Sequence, residues 1–285
     1  MASAEPGDSP ADRGEYLLHA AGCSSCHTDE ENQGEFLTGG RVLKTAFGIF
    51  YTPNITPHKK EGIGGWSDAD FIRAMKAGIS PEGHNYYPAF PYTAYAGMRR
   101  EDLLALKAYL DTVPPAPVRN KPHDLSWYLR MRLGIWIWKA FYFEPGSADD
   151  EASRANPRGA YLVRSVAHCG ECHTPRGRFG GLLMDRLHAG NRHGPEDDAV
   201  PNITPDRKSG IGKWSRDDLI YYLKTGATPG GDYAGGAMAL VIDNGTSHLT
   251  DIDLGAIADY VLSLPAIKNA SASKKTKPRR NESYN

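Results

Sequence analysis

All four cysteines of this 285-residue chain sit in two copies of one pentapeptide, Cys23-Ser24-Ser25-Cys26-His27 and Cys169-Gly170-Glu171-Cys172-His173. C-x-x-C spacing alone is open to zinc binding, a redox dithiol, disulfides or haem attachment, and the residue after the second cysteine separates them. A four-cysteine zinc site ordinarily spaces its two pairs by ~15–20 residues, whereas positions 26 and 169 lie 143 apart. A thioredoxin-like dithiol needs a βαβ context, and the flanks here read helical. Local disulfides leave both following histidines unexplained. Haem attachment uses the whole motif. Each thiol bonds one vinyl-derived carbon, the two-residue gap lets both sulfurs reach one ring edge, and the adjacent imidazole falls beneath the iron.

The pentapeptide recurs because the chain is an internal duplication. PNITPHKKEGIGGWSDADFIRAMKAG (53–78) matches PNITPDRKSGIGKWSRDDLIYYLKTG (201–226), which pairs Asn54 with Asn202 and Trp66 with Trp214. Upstream, GEYLLHAAGCSSCHT (14–28) matches GAYLVRSVAHCGECHT (159–174) with one inserted residue. Downstream, EDLLALKAYLDTVP (101–114) matches DIDLGAIADYVLSLP (251–265). Leu103, Leu106, Leu110 and Val113 recur at helical steps before Pro114, as do Leu254, Ile257, Ala258, Val261 and Leu262 before Pro265. Ser67 and Ser215, each followed three residues later by an acid, read as capping boxes. Each half therefore reads helix, CxxCH, long loop, PNIT, helix, Gly- or Pro-rich loop, helix.

Composition narrows the partners. Lys plus Arg number 33 and Asp plus Glu 34, so no bulk charge invites nucleic acid. Hydrophobic residues make up 40% and charged residues 24%, ordinary values for a folded soluble chain. No apolar run reaches the ~18 residues of a membrane span. The opening MASAEPGDSPADRGEY has no apolar h-region of a signal peptide.

The chain resembles a di-haem class I cytochrome c, and more narrowly the cytochrome subunits of periplasmic alcohol, aldehyde and sugar dehydrogenases. TPNITPHKKEGIGGWSDADF, YYPAFPYTAYAGM, PHDL, HCGECHTPRGRFGG and PNITPDRKSGIGKW carry the likeness, which spans about 14–265. It implies an all-α fold of two tandem class I domains, each with one covalently bound haem c. The expected division is 1–117 for the first domain, 118–150 for an aromatic-rich linker, 151–268 for the second domain and 269–285 for a disordered basic tail. In that fold the first helix of each half crosses the last. Gly14, Tyr16 and Leu17 then face Leu106 and Tyr109, and Gly159, Tyr161 and Leu162 face Ile257 and Tyr260.

His27 and His173 are the expected proximal iron ligands, with Cys23, Cys26, Cys169 and Cys172 holding the two rings. For the sixth ligand, Met238 lies in GGAMAL, in a loop 15 residues before Asp253 of the last helix, as the class I arrangement implies. Met98 is assigned to the first iron with His84 as its rival, although Met98 lies only four residues before Asp102 and the position matching Met238 falls near Pro88–Phe90. Met75 reads as helix packing. Asn54, Asn202, Trp66 and Trp214 are read as propionate hydrogen-bonders, with turn and core roles as the alternative. His19, His58, His123, His188, His193 and His248 follow no ligand spacing.

Residues 127–143 hold Trp127, Trp136 and Trp138. They read either as packing between the halves or as an aromatic patch docking a dehydrogenase subunit or a membrane surface. The tail 268–285 carries six basic residues and one acid. The expected function is electron transfer in a respiratory chain, from a periplasmic dehydrogenase to an acceptor cytochrome or oxidase, with no catalytic residue. Peripheral membrane association is open, and no nucleic acid is involved. The alternative is a di-haem enzyme such as a peroxidase or thiosulfate dehydrogenase. The latter uses a cysteine axial ligand, and here every cysteine is committed. Covalent attachment places assembly outside the cytoplasm, so the location expected is the periplasm, with a signal sequence on the precursor.

Overall fold

The computed structural model describes residues 9–144, 151–195 and 198–269. Helix α1 (Pro10–Ala20) starts at Ser9, which forms a capping box with Asp12 and is followed by Pro10, a residue already set for the first helical turn. The first pentapeptide is itself a short helix, α2 (Cys23–His27). After it the chain forms a hairpin, β1 (Val42–Thr45) with β2 (Gly48–Tyr51), in which Thr45 pairs with Gly48 across two residues. Helix α3 (Asp68–Ala77) has the expected Ser67–Asp70 capping box and ends on Gly78 in the left-handed region. The four-residue α4 (Tyr92–Tyr95) and then α5 (Arg100–Leu110) close the first half.

The linker is bonded into that first half. Its strand β3 (Asp124–Leu125) adds antiparallel to β2, giving sheet order β1-β2-β3. Asn120 Oδ1 also accepts from the Asn54 backbone N–H at 2.7 Å. This small sheet corrects the all-α expectation. VLKT and GIFY are rich in residues that suit a pleated surface, and the linker supplies the third strand. Gly48 is needed for that approach, since a Cβ there would lie 2.6 Å from the Asp124 carbonyl.

Two helices come next, α6 (Trp127–Arg130) and α7 (Leu133–Tyr142). The second half begins with α8 (Glu151–Ala155) and α9 (Pro157–Tyr161), which runs on into a π-helical turn over Leu162–Val166. Then come α10 (Gly170–His173), α11 (Arg216–Thr225), α12 (Gly236–Asp243) and α13 (Asp251–Ser263). Ser215 and Asp218 form the expected capping box of α11. Among the described residues no helix is long and apolar enough to cross a membrane. Most of the 269–285 tail lies outside the described residues. Asn269 is buried and donates to the Ala189 carbonyl at 2.7 Å.

The expected helix crossings are present, and glycine permits them. A Cβ at Gly14 would strike the Ala105 carbonyl and lie 2.7 Å from Tyr109 Cβ, while one at Gly159 would strike the Ala256 carbonyl and lie 2.6 Å from Tyr260 Cβ. The two tyrosines of these first helices differ from expectation. Tyr16 crosses to the other half and donates its hydroxyl proton to Asp253 Oδ2 at 2.5 Å. Tyr161 crosses the other way and donates to Asp102. Each aspartate also takes the arginine of its own half, Arg13 Nε to Asp102 and Arg158 Nε to Asp253, both at 2.8 Å. The halves thus meet about a pseudo-two-fold axis, with Asp102 and Asp253 buried at equivalent points. Asp102→Asn weakens the charge-assisted hydrogen bonds from Arg13 and Tyr161 at a buried acceptor while Arg13 keeps some access to water, so a loss of about 1.5–3 kcal/mol is expected, read from the denaturant midpoint at unchanged slope.

Candidate functional site

Two short helices, α2 and α10, hold the pentapeptides, and the PNIT loops after them orient their histidines. His27 Nδ1–H donates to the Pro53 carbonyl at 2.7 Å, and His173 Nδ1–H to the Pro201 carbonyl at 2.8 Å. With Nδ1 so committed, each ring carries its lone pair on Nε2. Burial holds both imidazoles below their usual pKa, against the opposing pull of these carbonyls, so they stay neutral. No described residue bonds either Nε2. None of the four cysteines is paired in a disulfide. Cys26 is exposed and the other three half-buried, yet protein surrounds them all closely enough to raise their pKa, Cys23 and Cys169 to about 12 and Cys172 to about 11. Cys23 and Cys169 pack against the core, while Cys26 stays at the surface.

This donor set fits haem c in each half: two thiols three positions apart and one imidazole whose Nδ1 is fixed by a proline carbonyl and whose Nε2 is left for iron. The cysteines, distant in sequence, come near each other in space. Cys172 is raised chiefly by burial, then by Glu171 and by Cys26 of the other motif. Even so, among the described residues no three His, Cys, Asp or Glu side chains gather into a protein-only metal site.

Asn54 and Asn202 have other work than a propionate. Asn54 Nδ2 donates to the carbonyls of Ala116 (2.8 Å) and Val118 (3.0 Å), and its Oδ1 accepts from Thr56 N and Oγ1. Asn202 Nδ2 donates to the Ile267 carbonyl (2.7 Å) and Ser209 Oγ (3.2 Å), and its Oδ1 accepts from Thr204 N and Oγ1. Both carboxamides are fully used, and the propionate reading gives way to the turn reading. Each clasps its PNIT loop to the chain leaving the last helix of its half, and so holds the proline carbonyl under the histidine. Sequence reasoning missed Pro53 and Pro201, although the repeated PNIT after each CxxCH was the signal. Trp66 and Trp214 are half-buried at the starts of α3 and α11, and no described residue accepts from either indole N–H.

The methionines fall unequally. Met131 and Met184 are mostly exposed, Met75 is buried on α3, and Met238 lies partly buried on α12 against the core. The loops after α3 and α11 share a register. Tyr86 N–H donates to the Gly78 carbonyl as Ala234 N–H does to that of Gly226, both at 2.8 Å. Four residues further on stand Phe90 in one half and Met238 in the other. Counted back from the last helices, Met98 matches Leu249. Both are fully buried, and their carbonyls accept from Lys76 Nζ and Lys224 Nζ at 2.7 and 3.5 Å. His84 is exposed at the tip of the turn closed by Ser80.

The aromatic segment has two faces. Inward, Lys139 Nζ donates to Asn85 Oδ1 at 2.8 Å and Trp138 Nε1 to the Phe179 carbonyl at 2.9 Å, so α7 straps the two halves together. Outward, Leu133, Trp136, Ile137 and Phe141 are exposed on one stripe. Residues 118–144 carry five basic and two acidic side chains, a local +3 in a chain of −1.

Comparison with known proteins agrees with this geometry. The family described as Cytochrome c matches residues 11–114. A protein named diheme cytochrome c-type from Cereibacter sphaeroides is 43% identical over 262 residues, covering 90% of this chain and 87% of its own length. The cytochrome c subunit of alcohol dehydrogenase (quinone) from Gluconobacter oxydans is 36% identical over 90% of this chain. The cytochrome subunit of fructose dehydrogenase from Gluconobacter japonicus is 40% identical over 89%. The chain spans only 55% and 52% of those two subunits.

Proposed function

Because the chain belongs to the di-haem cytochrome c family and its cofactor is haem c, we propose that it relays electrons from a periplasmic dehydrogenase to an acceptor cytochrome or oxidase, without catalysing a reaction of its own. The observation that carries this reading is the pair of histidines, each fixed through Nδ1 by a proline carbonyl with Nε2 left for iron. Bound haem supplies one-electron exchange between ferrous and ferric iron. The chain's residues do the rest. Cys23 and Cys26, like Cys169 and Cys172, hold a ring covalently at one edge. Pro53 and Pro201 hold each imidazole in one tautomer and orientation, and so limit rearrangement when the charge on iron changes. Met98 and Met238 would be the further protein ligands to the irons, and Trp66 and Trp214 would donate to propionates.

The donor subunit docks on the outer stripe of α7. Relatives named as cytochrome subunits of dehydrogenases support that partner, and the local positive charge calls for an acidic rim on it. The test uses holoprotein with its partner dehydrogenase. Two six-coordinate haems bind little carbon monoxide when reduced and turn over neither peroxide nor thiosulfate. Trp136→Glu slows reduction by the dehydrogenase and leaves both potentials in place. Stoichiometric carbon monoxide binding together with peroxide turnover overturns the relay in favour of a di-haem enzyme.

A further inference from the structure

The second copy of the first helix has one residue more than the first, and the fold shows where that residue goes. Helix α9 loosens into the π turn Leu162–Val166, with the Ala167 N–H reaching back five residues to the Leu162 carbonyl at 2.7 Å. Such a turn absorbs a single insertion and often marks a functional position. After it comes His168, immediately before Cys169 and in the left-handed region at φ 41°, where the first half has Gly22 at φ 62° before Cys23; a non-glycine residue occupies that region only when its surroundings require it.

His168 Nε2–H donates to the Ala21 carbonyl at 3.2 Å. Ala21 stands two residues before Cys23. The same carbonyl accepts from Tyr95 Oη at 3.3 Å, and the Tyr95 ring meets the His168 ring edge-on with centroids 5.3 Å apart. Tyr95 belongs to α4, whose Thr93 donates to Glu171 Oε1, inside the second pentapeptide, at 2.6 Å. Helix α4 thus bonds the second attachment motif at Glu171 and the chain just before the first at Ala21. It derives from YYPAFPYTAYAGM, the stretch in which the first half departs most from the second.

From this juxtaposition we infer that His168 and Tyr95 set the contact across which the two haem sites exchange an electron. The covalent chain from Cys169 through His168 is broken by one hydrogen bond before Ala21, Gly22 and Cys23 continue it. In that exchange one ferrous iron is oxidised and one ferric iron reduced, and no proton moves. The inserted residue and the π turn are then positioning devices that bring the cysteine-bearing edges face to face.

The inference rests on both motifs carrying haem, so haem content is counted first and must be two per chain. A lower count defeats the relay reading and is told apart from slow exchange between two bound haems. In full-length holoprotein, one haem is reduced by a light pulse and equilibration is followed optically. His168→Leu, which cannot donate, slows equilibration by about tenfold or more, with both haem spectra unchanged. His168→Gln, which can donate, restores most of the rate. Equal rates in His168→Leu and the parent overturn the inference. Paramagnetic resonance of the unmodified protein gives a test that needs no variant. Mutual broadening of the two ferric signals, relieved when one haem is reduced, is expected, and its absence overturns the inference.

Discussion

Cys169→Ser combined with Cys172→Ser is expected to halve the covalently held haem, from two per chain to one. A serine hydroxyl does not add to a vinyl group as a thiol does, so the second ring loses both anchors while His173 stays on Pro201. Any haem left in that half is held without a covalent bond and leaves in acidified organic solvent. The consequence for folding is larger than that of a lost surface contact. Each half is a small unit for which the ring supplies much of the core, and emptying it removes a ligand that stabilises only the folded state. A drop in the thermal midpoint of the second half of roughly 10 °C or more is expected. The pyridine haemochrome count and a melt followed by far-ultraviolet dichroism check both parts. Two solvent-resistant haems in this variant place attachment elsewhere. Cys23→Ser with Cys26→Ser is the mirror experiment. Because Tyr16 bonds Asp253 and Tyr161 bonds Asp102, either variant also loosens the half that keeps its haem.

Local chemistry made much of this molecule legible in sequence. The Ser67 and Ser215 caps, the glycines that end α3 and α11, and the apolar steps of α5 and α13 all act within a few residues. The duplication carried those readings from one half to the other. Three kinds of feature stayed hidden. The sheet joins strands 42–51 to a linker strand at 124–125, a pairing that local pattern does not specify. Tyr16 and Tyr161 leave the helices they were assigned to face, because a buried aspartate of the other half accepts the hydroxyl better than an apolar helix does. Asn54 and Asn202 were recognisable as special from their repetition, but repetition does not distinguish a residue that clasps the loop from one that touches the cofactor. The insertion before Cys169 was visible in the alignment of the halves. Its meaning needed the π turn and the position of Ala21.

Register now sharpens the ligand question into a test with opposite outcomes at the two irons. From Gly78 to Met98 there are 20 positions and from Gly226 to Leu249 there are 23, so the loops that would cross the distal faces differ by three residues. Met238 lies on the helix α12, where the sequence reading expects a loop, and Phe90 stands at the matching place in the first half. We therefore propose that the first iron takes its methionine from the turn just before α5. Met238→His replaces a thioether by an imidazole and is expected to lower one midpoint potential by on the order of 0.1–0.3 V while the other holds. Met98→Leu installs the residue that the second half carries at the matching position, so packing survives at a cost below about 1.5 kcal/mol. If Met98 holds iron, that variant binds one carbon monoxide per chain when reduced and loses half of the near-infrared sulfur-to-iron absorption. If every optical and redox signal is intact, Met98 is a core residue like Leu249 and the first haem takes no methionine from it. Fold stability, read in the same samples, separates the two cases, since ligand loss opens the iron without unfolding the half around it.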